Sequence, residues 1–363
     1  MKEYDKTKNI GINLLRIYAV FLVLILHFLG HGGLLMGTTI NTPQYKIVWF
    51  LEILAYPAVD IFALISGYVY YKNNKIKKVF YNWFKLWIAI VFYFLLCSFI
   101  FNIFTDVSVL KIDYLKSFFP ITNNLLWYFT AYSGLVIVMP VLNRGLENLD
   151  DNKSKKLFWL IIVIFSMFEI IAKEFVFYNG YSFVWIMILF ILGSLIKKCN
   201  IGNKLSNIKI IVIIILLFLL TYFYKIYGLE FNIFNKPITK DLFVNYTSPT
   251  ILINSILLLV LFSRFKFNDV FSKIICFISS SAFFVYALNE NYFIRDNYII
   301  NSFIKYNSSP VITIVMNVLL YSIIFFILAI TVDKIRCYLF EKLKINNLIS
   351  KTSTIFDKLN NYY

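Results

Sequence analysis

The first apolar stretch of the sequence contains two side chains that can take part in chemistry, Arg16 and His27. Eleven helical residues turn through about 1100°, within about 20° of three full turns, and rise roughly 16 Å. The two residues therefore share one helix face, with a permanent cation at one end and a titratable base at the other. A guanidinium binds phosphate groups, and an imidazole accepts a proton near neutral pH. This pattern suits a reaction that joins a cytoplasmic anionic donor to an extracytoplasmic acceptor.

Further ionisable side chains interrupt apolar stretches, where a charge is costly unless it faces other helices or water. They are Glu52, Asp60, Lys85, Glu169 and Glu290. Depths estimated from the helical rise divide the polar residues into two layers. The inner layer is basic and comprises Arg16, Lys72, Lys75, Lys77, Lys78 and Lys85. The outer layer comprises His27, His31, Glu52, Asn289 and Glu290, with Trp127 and Tyr128 at the outer end of a helix.

Most of these residues also have a structural interpretation. Arg16 would snorkel to the inner surface, and His27 would be a hydrogen-bonded core histidine. Glu290 would be solvated near the outer surface, and Trp127 with Tyr128 would belong to an interfacial aromatic belt. The inner lysines, Lys85 among them, would only enforce the positive-inside rule. The shared face of Arg16 and His27 is what favours the functional interpretation.

Asp60 lies near the middle of the membrane, at a depth between those of Arg16 and His27. An isolated carboxylate there would cost several kcal/mol or take up a proton. The least costly arrangement pairs it with Arg16, about 4–6 Å away in depth. The sequence therefore predicts a supporting ion pair; the alternative is that Asp60 orients His27.

The composition indicates which elements must position these side chains. The 363 residues are 60% hydrophobic and 15% charged, which excludes a soluble globule, a disordered chain and a disulfide-stapled module. Apolar runs of roughly 20 residues without alternation predict helices, not a barrel. We predict an all-α integral membrane protein with about ten transmembrane helices. The predicted runs are 10–30, 47–71, 79–104, 125–143, 157–176, 180–196, 208–227, 246–264, 271–294 and 311–333.

The distribution of cations predicts the orientation. The N-terminus, the C-terminal tail and every second loop hold 24 Lys and Arg, whereas the remaining loops and adjoining span ends hold 9. Both termini are therefore predicted to be cytoplasmic, in a multi-pass protein of the cytoplasmic membrane. The first helix is expected to remain uncleaved. Four scattered cysteines indicate neither a disulfide framework nor a metal site.

Several segments carry a family resemblance. The Arg16-Ile-Tyr-Ala and Leu26-His27 segments, and the second-span sequence VDIFALISGYVYY, resemble motifs of the acyltransferase-3 family of membrane acyltransferases. Trp127-Tyr128-Phe129 with a later Pro140, and the segment from Ser281 to Tyr286, resemble two further motifs of that family. The resemblance covers most of the chain. It is to stand-alone members, without a C-terminal hydrolase-like domain.

The resemblance implies acyl transfer, most often of acetyl, from cytoplasmic acyl-CoA to a sugar hydroxyl on an extracytoplasmic or lipid-linked glycan. Because CoA is a polyanion, donor contacts are expected from the inner residues. These are Arg16, Ser66, Lys78 and Lys85. His27 is expected to be the general base, with Glu52, at matching depth, orienting its other ring nitrogen. Supporting roles are expected for Asp60, Trp127, Tyr128, Asn289 and Glu290.

The implied partners are acyl-CoA, the acceptor saccharide and the lipid bilayer, without nucleic acid. Acetyl-CoA would be a donor substrate, and no permanently bound cofactor or metal is expected. Two departures from the family pattern bear on these roles. Lys78 and Lys85 replace arginines, which loses the bidentate fork of a guanidinium, and Asn289 stands where a histidine is common.

Two other classes remain open on the sequence. A transporter or flippase of a lipid-linked or small polar substrate would also place charges in mid-membrane, but the sequence shows no broken or repeated helices. A glycan polymerase or ligase would need an outer loop larger than 105–124. For domains, we predict a membrane acyltransferase domain over 1–340 and a polar, Lys-rich cytoplasmic tail over 341–363. The polar character of the chain begins at Asp333.

Overall fold

The computed structural model describes residues 9–72, 76–168, 177–233, 236–347 and 349. Glu169, Lys75, the side chain of Lys77 and the tail from residue 350 lie outside the described part of the chain. Fifteen α-helices are found in the described part. In chain order they are α1 (Ile10–Gly30), α2 (Leu34–Gly37), α3 (Pro43–Ala55), α4 (Ala58–Tyr70), α5 (Ile76–Phe104), α6 (Lys111–Ser117), α7 (Trp127–Asn148), α8 (Asp151–Ile162), α9 (Phe183–Cys199), α10 (Asn207–Tyr227), α11 (Pro249–Ser263), α12 (Asp269–Ser279), α13 (Ala282–Asn289), α14 (Tyr292–Ile294) and α15 (Val311–Lys342).

The remaining elements are short. π-Helical turns occur at Val163–Met167 and Arg295–Ile299, and 3₁₀ turns at Tyr178–Gly180 and Ile304–Tyr306. Strands β1 (Phe231–Ile233) and β2 (Lys236–Ile238) form one antiparallel hairpin. The predicted all-α class is therefore confirmed, since strands account for only this hairpin in the described residues.

Seven segments are long and apolar enough to cross a membrane in the part of the chain that the structure describes. They are Ile10–Gly30, Pro43–Tyr70, Lys78–Phe104, Trp127–Asn148, Asn207–Tyr227, Asp269–Asn289 and Val311–Lys342. Helix α11 is apolar but has only 15 residues, and α9 has 17. The chain is an all-α membrane protein, whereas the count of ten crossings and the cytoplasmic termini stay predictions.

Two of the predicted spans are interrupted, contrary to the expectation of unbroken helices. The second span divides at Tyr56-Pro57 into α3 and α4, because a proline has no N–H to continue the hydrogen-bond ladder. The ninth divides at Ser280-Ser281 into α12 and α13 and ends at Asn289. These breaks place Asp60 in the first turn of α4 and leave Glu290 just past the C-terminus of α13.

Helix α1 lies at the centre of the bundle, where it packs against α3, α4, α11, α12, α13 and α15. A second close contact joins α4 to α9 through glycines. A Cβ on Gly67 would lie 1.9 Å from the carbonyl oxygen of Phe190, and one on Gly193 would lie 2.1 Å from that of Leu64. The glycine of the Ser66-Gly67 motif thus allows two helix backbones to touch. The hydroxyl of Ser194 also donates to the Gly67 carbonyl at 3.1 Å.

The last helix continues well past Asp333, where the sequence suggested that polar surface begins. Asp333 and Arg336 are fully buried and form an ion pair with a 2.7 Å separation. The hydroxyls of Tyr93 and Ser281 donate to the Asp333 carboxylate at 2.7 and 2.6 Å. The prediction of polar surface from Asp333 onward is wrong for these two residues, because their charges pair with each other inside the bundle instead of contacting solvent.

Candidate functional site

His27 lies in the last turn of α1, with its ring in a polar cluster and 16% of its side chain exposed. Its Nδ1 forms a hydrogen bond with Oδ1 of Asn289. Nε2 lies 3.2 Å from Oε1 of Glu290. Both ring nitrogens therefore face acceptor oxygens, which is the arrangement that stabilises the imidazolium formed when the ring takes up a proton.

Glu290 connects three cationic or potentially cationic groups. Its Oε1 also accepts a hydrogen bond from Nε2 of His31 at 2.9 Å, and its Oε2 accepts one from Arg295 at 3.3 Å. Burial would raise the pKa of this carboxyl, but His27, His31 and Arg295 outweigh burial and lower the pKa to about 2. Glu290 is only 8% exposed, so it is not the solvated surface residue of the structural interpretation.

A cavity of about 310 Å³ opens beside this cluster. Six residues of the predicted outer layer line it: His27, His31, Glu52, Trp127, Tyr128 and Glu290. The first two residues of α7 therefore face a cavity and are more than an interfacial aromatic belt. The cavity wall also contains further aromatic residues. Phe62, Phe283 and Tyr286 belong to the motif segments, whereas the sequence analysis missed Tyr56, Tyr181 and Tyr246.

Several polar atoms of the cavity wall are buried without a hydrogen-bond partner among the described residues. They are Oε2 of Glu52 and the hydroxyls of Tyr128 and Tyr286. Buried polar atoms of this kind are uncommon in a finished core and are expected where a ligand supplies the missing partner. Glu52 does not orient the ring of His27 as the sequence suggested, because Asn289 holds Nδ1 and Glu290 lies at Nε2.

Arg16 lies about three helical turns from His27, near the opposite end of α1. Its Nη1 donates to Oδ1 of Asn13 at 2.7 Å, and Asn13 in turn donates to Sγ of Cys276 at 3.3 Å. The guanidinium also interacts with Tyr70 and Tyr132. The polar cluster around Arg16 is therefore assembled from α1, α4, α7 and α12.

The ion pair that the sequence predicted between Asp60 and Arg16 is not formed. Asp60 is fully buried, and its Oδ1 accepts a hydrogen bond from Nε1 of Trp185 at 3.0 Å. Helix α4 turns this carboxylate towards α9 instead of α1. The alternative that Asp60 orients His27 is also excluded by the partners of the His27 ring.

The remaining donor-side predictions are only partly brought together. The hydroxyl of Ser66 interacts with that of Tyr132, which places Ser66 in the Arg16 cluster. Lys85 is half-buried on α5 and interacts with Cys337 of α15, and Lys78 is exposed near the start of α5. The structure therefore groups Ser66 with Arg16 and leaves the two lysines on a separate helix.

Comparison with known protein families shows which family the chain belongs to. The model of the acyltransferase-3 family, described as an acyltransferase domain, matches residues 9–341. The chain belongs to the acyltransferase-3 family. No curated protein and no solved structure matches the chain significantly. The protein is thus a membrane acyltransferase, and its site can be interpreted as one that moves an acyl group.

The motifs of this acyltransferase-3 protein have distinct positions in the structure. Ser281 holds the buried Asp333, whereas Tyr286 of the same motif reaches the cavity. The sequence analysis missed Arg295, which fixes the second oxygen of Glu290. The sequence did indicate that the helix ends just before Glu290, because the residues from Asn289 to Asn291 are too polar to continue an apolar helix.

Proposed function

We propose that this acyltransferase-3 protein transfers an acetyl group from cytoplasmic acetyl-CoA to a hydroxyl of an extracytoplasmic or lipid-linked glycan. His27 would be the general base. The observation that carries the proposal is the position of His27, which lines the cavity while Asn289 holds its Nδ1.

The chemistry needs one proton acceptor and one stabilising anion. Nε2 of His27 takes the proton of the acceptor hydroxyl as its oxygen attacks the thioester carbonyl. The C–O bond forms, the C–S bond breaks, and the CoA thiolate takes up the proton as the imidazolium returns to neutrality. The imidazolium that exists between these events lies 3.2 Å from the Glu290 carboxylate, which stabilises it.

The cavity supports a saccharide as the acceptor. Aromatic side chains offer flat apolar faces to sugar rings, and the rings of Trp127 and Tyr181 lie 4.7 Å apart at the cavity wall. The unpartnered oxygens of Glu52, Tyr128 and Tyr286 would accept or donate hydrogen bonds to sugar hydroxyls. A volume of about 310 Å³ also favours a small acyl group over a long acyl chain.

The proposed binding of the acyl donor rests on the charges near the predicted cytoplasmic end of α1. Arg16 is the cation of α1 nearest the predicted cytoplasmic end, and it is grouped with the hydroxyls of Tyr70, Tyr132 and Ser66. We propose that this cluster binds the phosphopantetheine portion of CoA, whose long arm would carry the thioester roughly 16 Å along α1 towards His27. Lys78 and Lys85 would attract the nucleotide phosphates from the cytoplasmic side.

The test is transfer of radiolabelled acetyl from acetyl-CoA to a lipid-linked glycan by the purified protein in liposomes. The wild-type protein should form a base-labile acetyl ester on the glycan. His27→Ala should keep its melting temperature in detergent and lose at least about a hundredfold in turnover, the usual effect of removing an acid–base group.

Three results would contradict the proposal. Near-normal turnover of folded His27→Ala would exclude His27 as the base. Label that reaches no saccharide would exclude a glycan acceptor. Movement of the glycan across the bilayer without acetylation would favour the transporter, a class for which interrupted helices are typical.

A further inference from the structure

Three side chains that bind metal ions in other proteins converge at the end of α1. They are His27, His31 and Glu290, whose ligand atoms all lie within 4.8 Å of one another. We propose that they bind one divalent transition-metal ion of the zinc class, and that the bound ion inhibits acyl transfer. The inhibition rests on the proposed role of His27, whereas the binding does not.

Two of the three separations between ligand atoms are close to those around a tetrahedral ion. Oε1 of Glu290 lies 3.2 Å from Nε2 of His27 and 2.9 Å from Nε2 of His31. Zinc–nitrogen and zinc–oxygen bonds of about 2.0–2.2 Å separate neighbouring ligand atoms by roughly 3.3 Å in a tetrahedron. The nitrogens of the two imidazoles, which lie within 4.8 Å of each other, would have to approach to about this distance when the ion binds. The two histidines are four residues apart, so one helical turn presents both rings on the same side.

Hydrogen bonds behind the cluster orient the ligands, as is usual at metal sites. Nδ1 of His27 is held by Asn289, so Nε2 would bind the ion once it carries no proton. The second oxygen of Glu290 is held by Arg295 at 3.3 Å. His31 would bind through Nε2 after its proton moves to Nδ1, which leaves a neutral imidazole. The fourth coordination position would face the cavity, where water or a hydroxyl could occupy it.

The ligand set selects the class of ion. Two imidazoles and one carboxylate suit zinc, copper and nickel, whereas magnesium and calcium prefer oxygen ligands. Binding would occupy the lone pair of His27 that otherwise accepts the acceptor proton. The site departs from the sequence-based expectation of no metal, which considered cysteine spacing and missed a cluster assembled from distant helices.

The experiment uses full-length protein without a polyhistidine tag, stripped with a chelator. Zinc chloride is titrated by calorimetry, and bound zinc is counted by mass spectrometry after desalting. The wild-type protein should bind one zinc ion that His31→Gln and Glu290→Gln each weaken by at least about tenfold. Glu52→Gln is the matched control, because it removes a cavity carboxylate outside the cluster and should retain the wild-type affinity. Magnesium chloride should not compete.

Acetyl transfer is then measured against zinc concentration, relative to each variant's own metal-free rate. Zinc should inhibit the wild-type protein with an inhibition constant equal to the dissociation constant measured by calorimetry. In His31→Gln the inhibition constant should rise at least about tenfold. A zinc affinity that is unchanged in both His31→Gln and Glu290→Gln would contradict the proposed site. Binding without inhibition, or activation by zinc, would overturn the inhibitory role. Absence of transferase activity both with and without zinc would refute the proposed function but leave the zinc stoichiometry interpretable.

Discussion

The two cavity carboxylates, Glu290 and Glu52, give the sharpest test of the catalytic arrangement. Glu290 contacts His27 at 3.2 Å, whereas Glu52 lines the same cavity and has an unpartnered oxygen. Glu290→Gln keeps the shape of the side chain and removes its charge. We expect this change to lower kcat, because the imidazolium formed during proton transfer loses its counter-ion.

The magnitude follows from the contact that is lost. A hydrogen bond to a charged group contributes about 1.5–3 kcal/mol, and about 1.4 kcal/mol corresponds to a factor of ten in rate. Glu290→Gln should therefore reduce kcat by about 10- to 150-fold. Glu52→Gln should mainly raise the KM for the acceptor and change kcat by less than about tenfold.

The assay is the initial rate of acetyl transfer at saturating acetyl-CoA, with acceptor concentration varied to separate kcat from KM. Melting in detergent controls for folding, and Arg295 keeps a partner in Glu290→Gln through its 2.8 Å contact with Asp296. If folded Glu290→Gln retains its kcat while Glu52→Gln loses it, then Glu52 is the group that supports His27. The assignment made here would then be wrong.

Two further predictions concern packing and orientation. Gly67→Ala should lower the melting temperature in detergent by several degrees, because its Cβ would meet the Phe190 carbonyl at 1.9 Å, and overpacking costs about 1–3 kcal/mol. Gly145→Ala, where no atom lies within 4 Å of the added Cβ, should be neutral or slightly stabilising, and equal losses would refute the close helix contact. On a cysteine-free background, an impermeant thiol reagent applied to intact cells should label Thr122→Cys and not Asn152→Cys, two exposed positions in loops predicted to lie on opposite sides. The reverse pattern would invert the topology and place His27 at the cytoplasmic side.

The sequence by itself determined the class of protein and the content of its first helix. Apolar runs without alternation require helices in lipid, because only a helix satisfies its own backbone hydrogen bonds within one segment. The helical period then fixes that Arg16 and His27 share a face and differ in depth by roughly 16 Å. The motifs around these two residues also indicated the family that the match over residues 9–341 establishes.

Only the tertiary structure decided which side chains meet. Depth along a helix can be calculated from residue number, but the rotation of one helix relative to another cannot. Depth alone therefore assigned Glu52 to His27, whereas the break after Asn289 turns Glu290 towards the ring. The same uncertainty in rotation explains Asp60, which was predicted at a depth suited to Arg16 and yet accepts a hydrogen bond from Trp185. Which side chains pair depends on how the helices pack, and the periodicity of a single helix does not determine it.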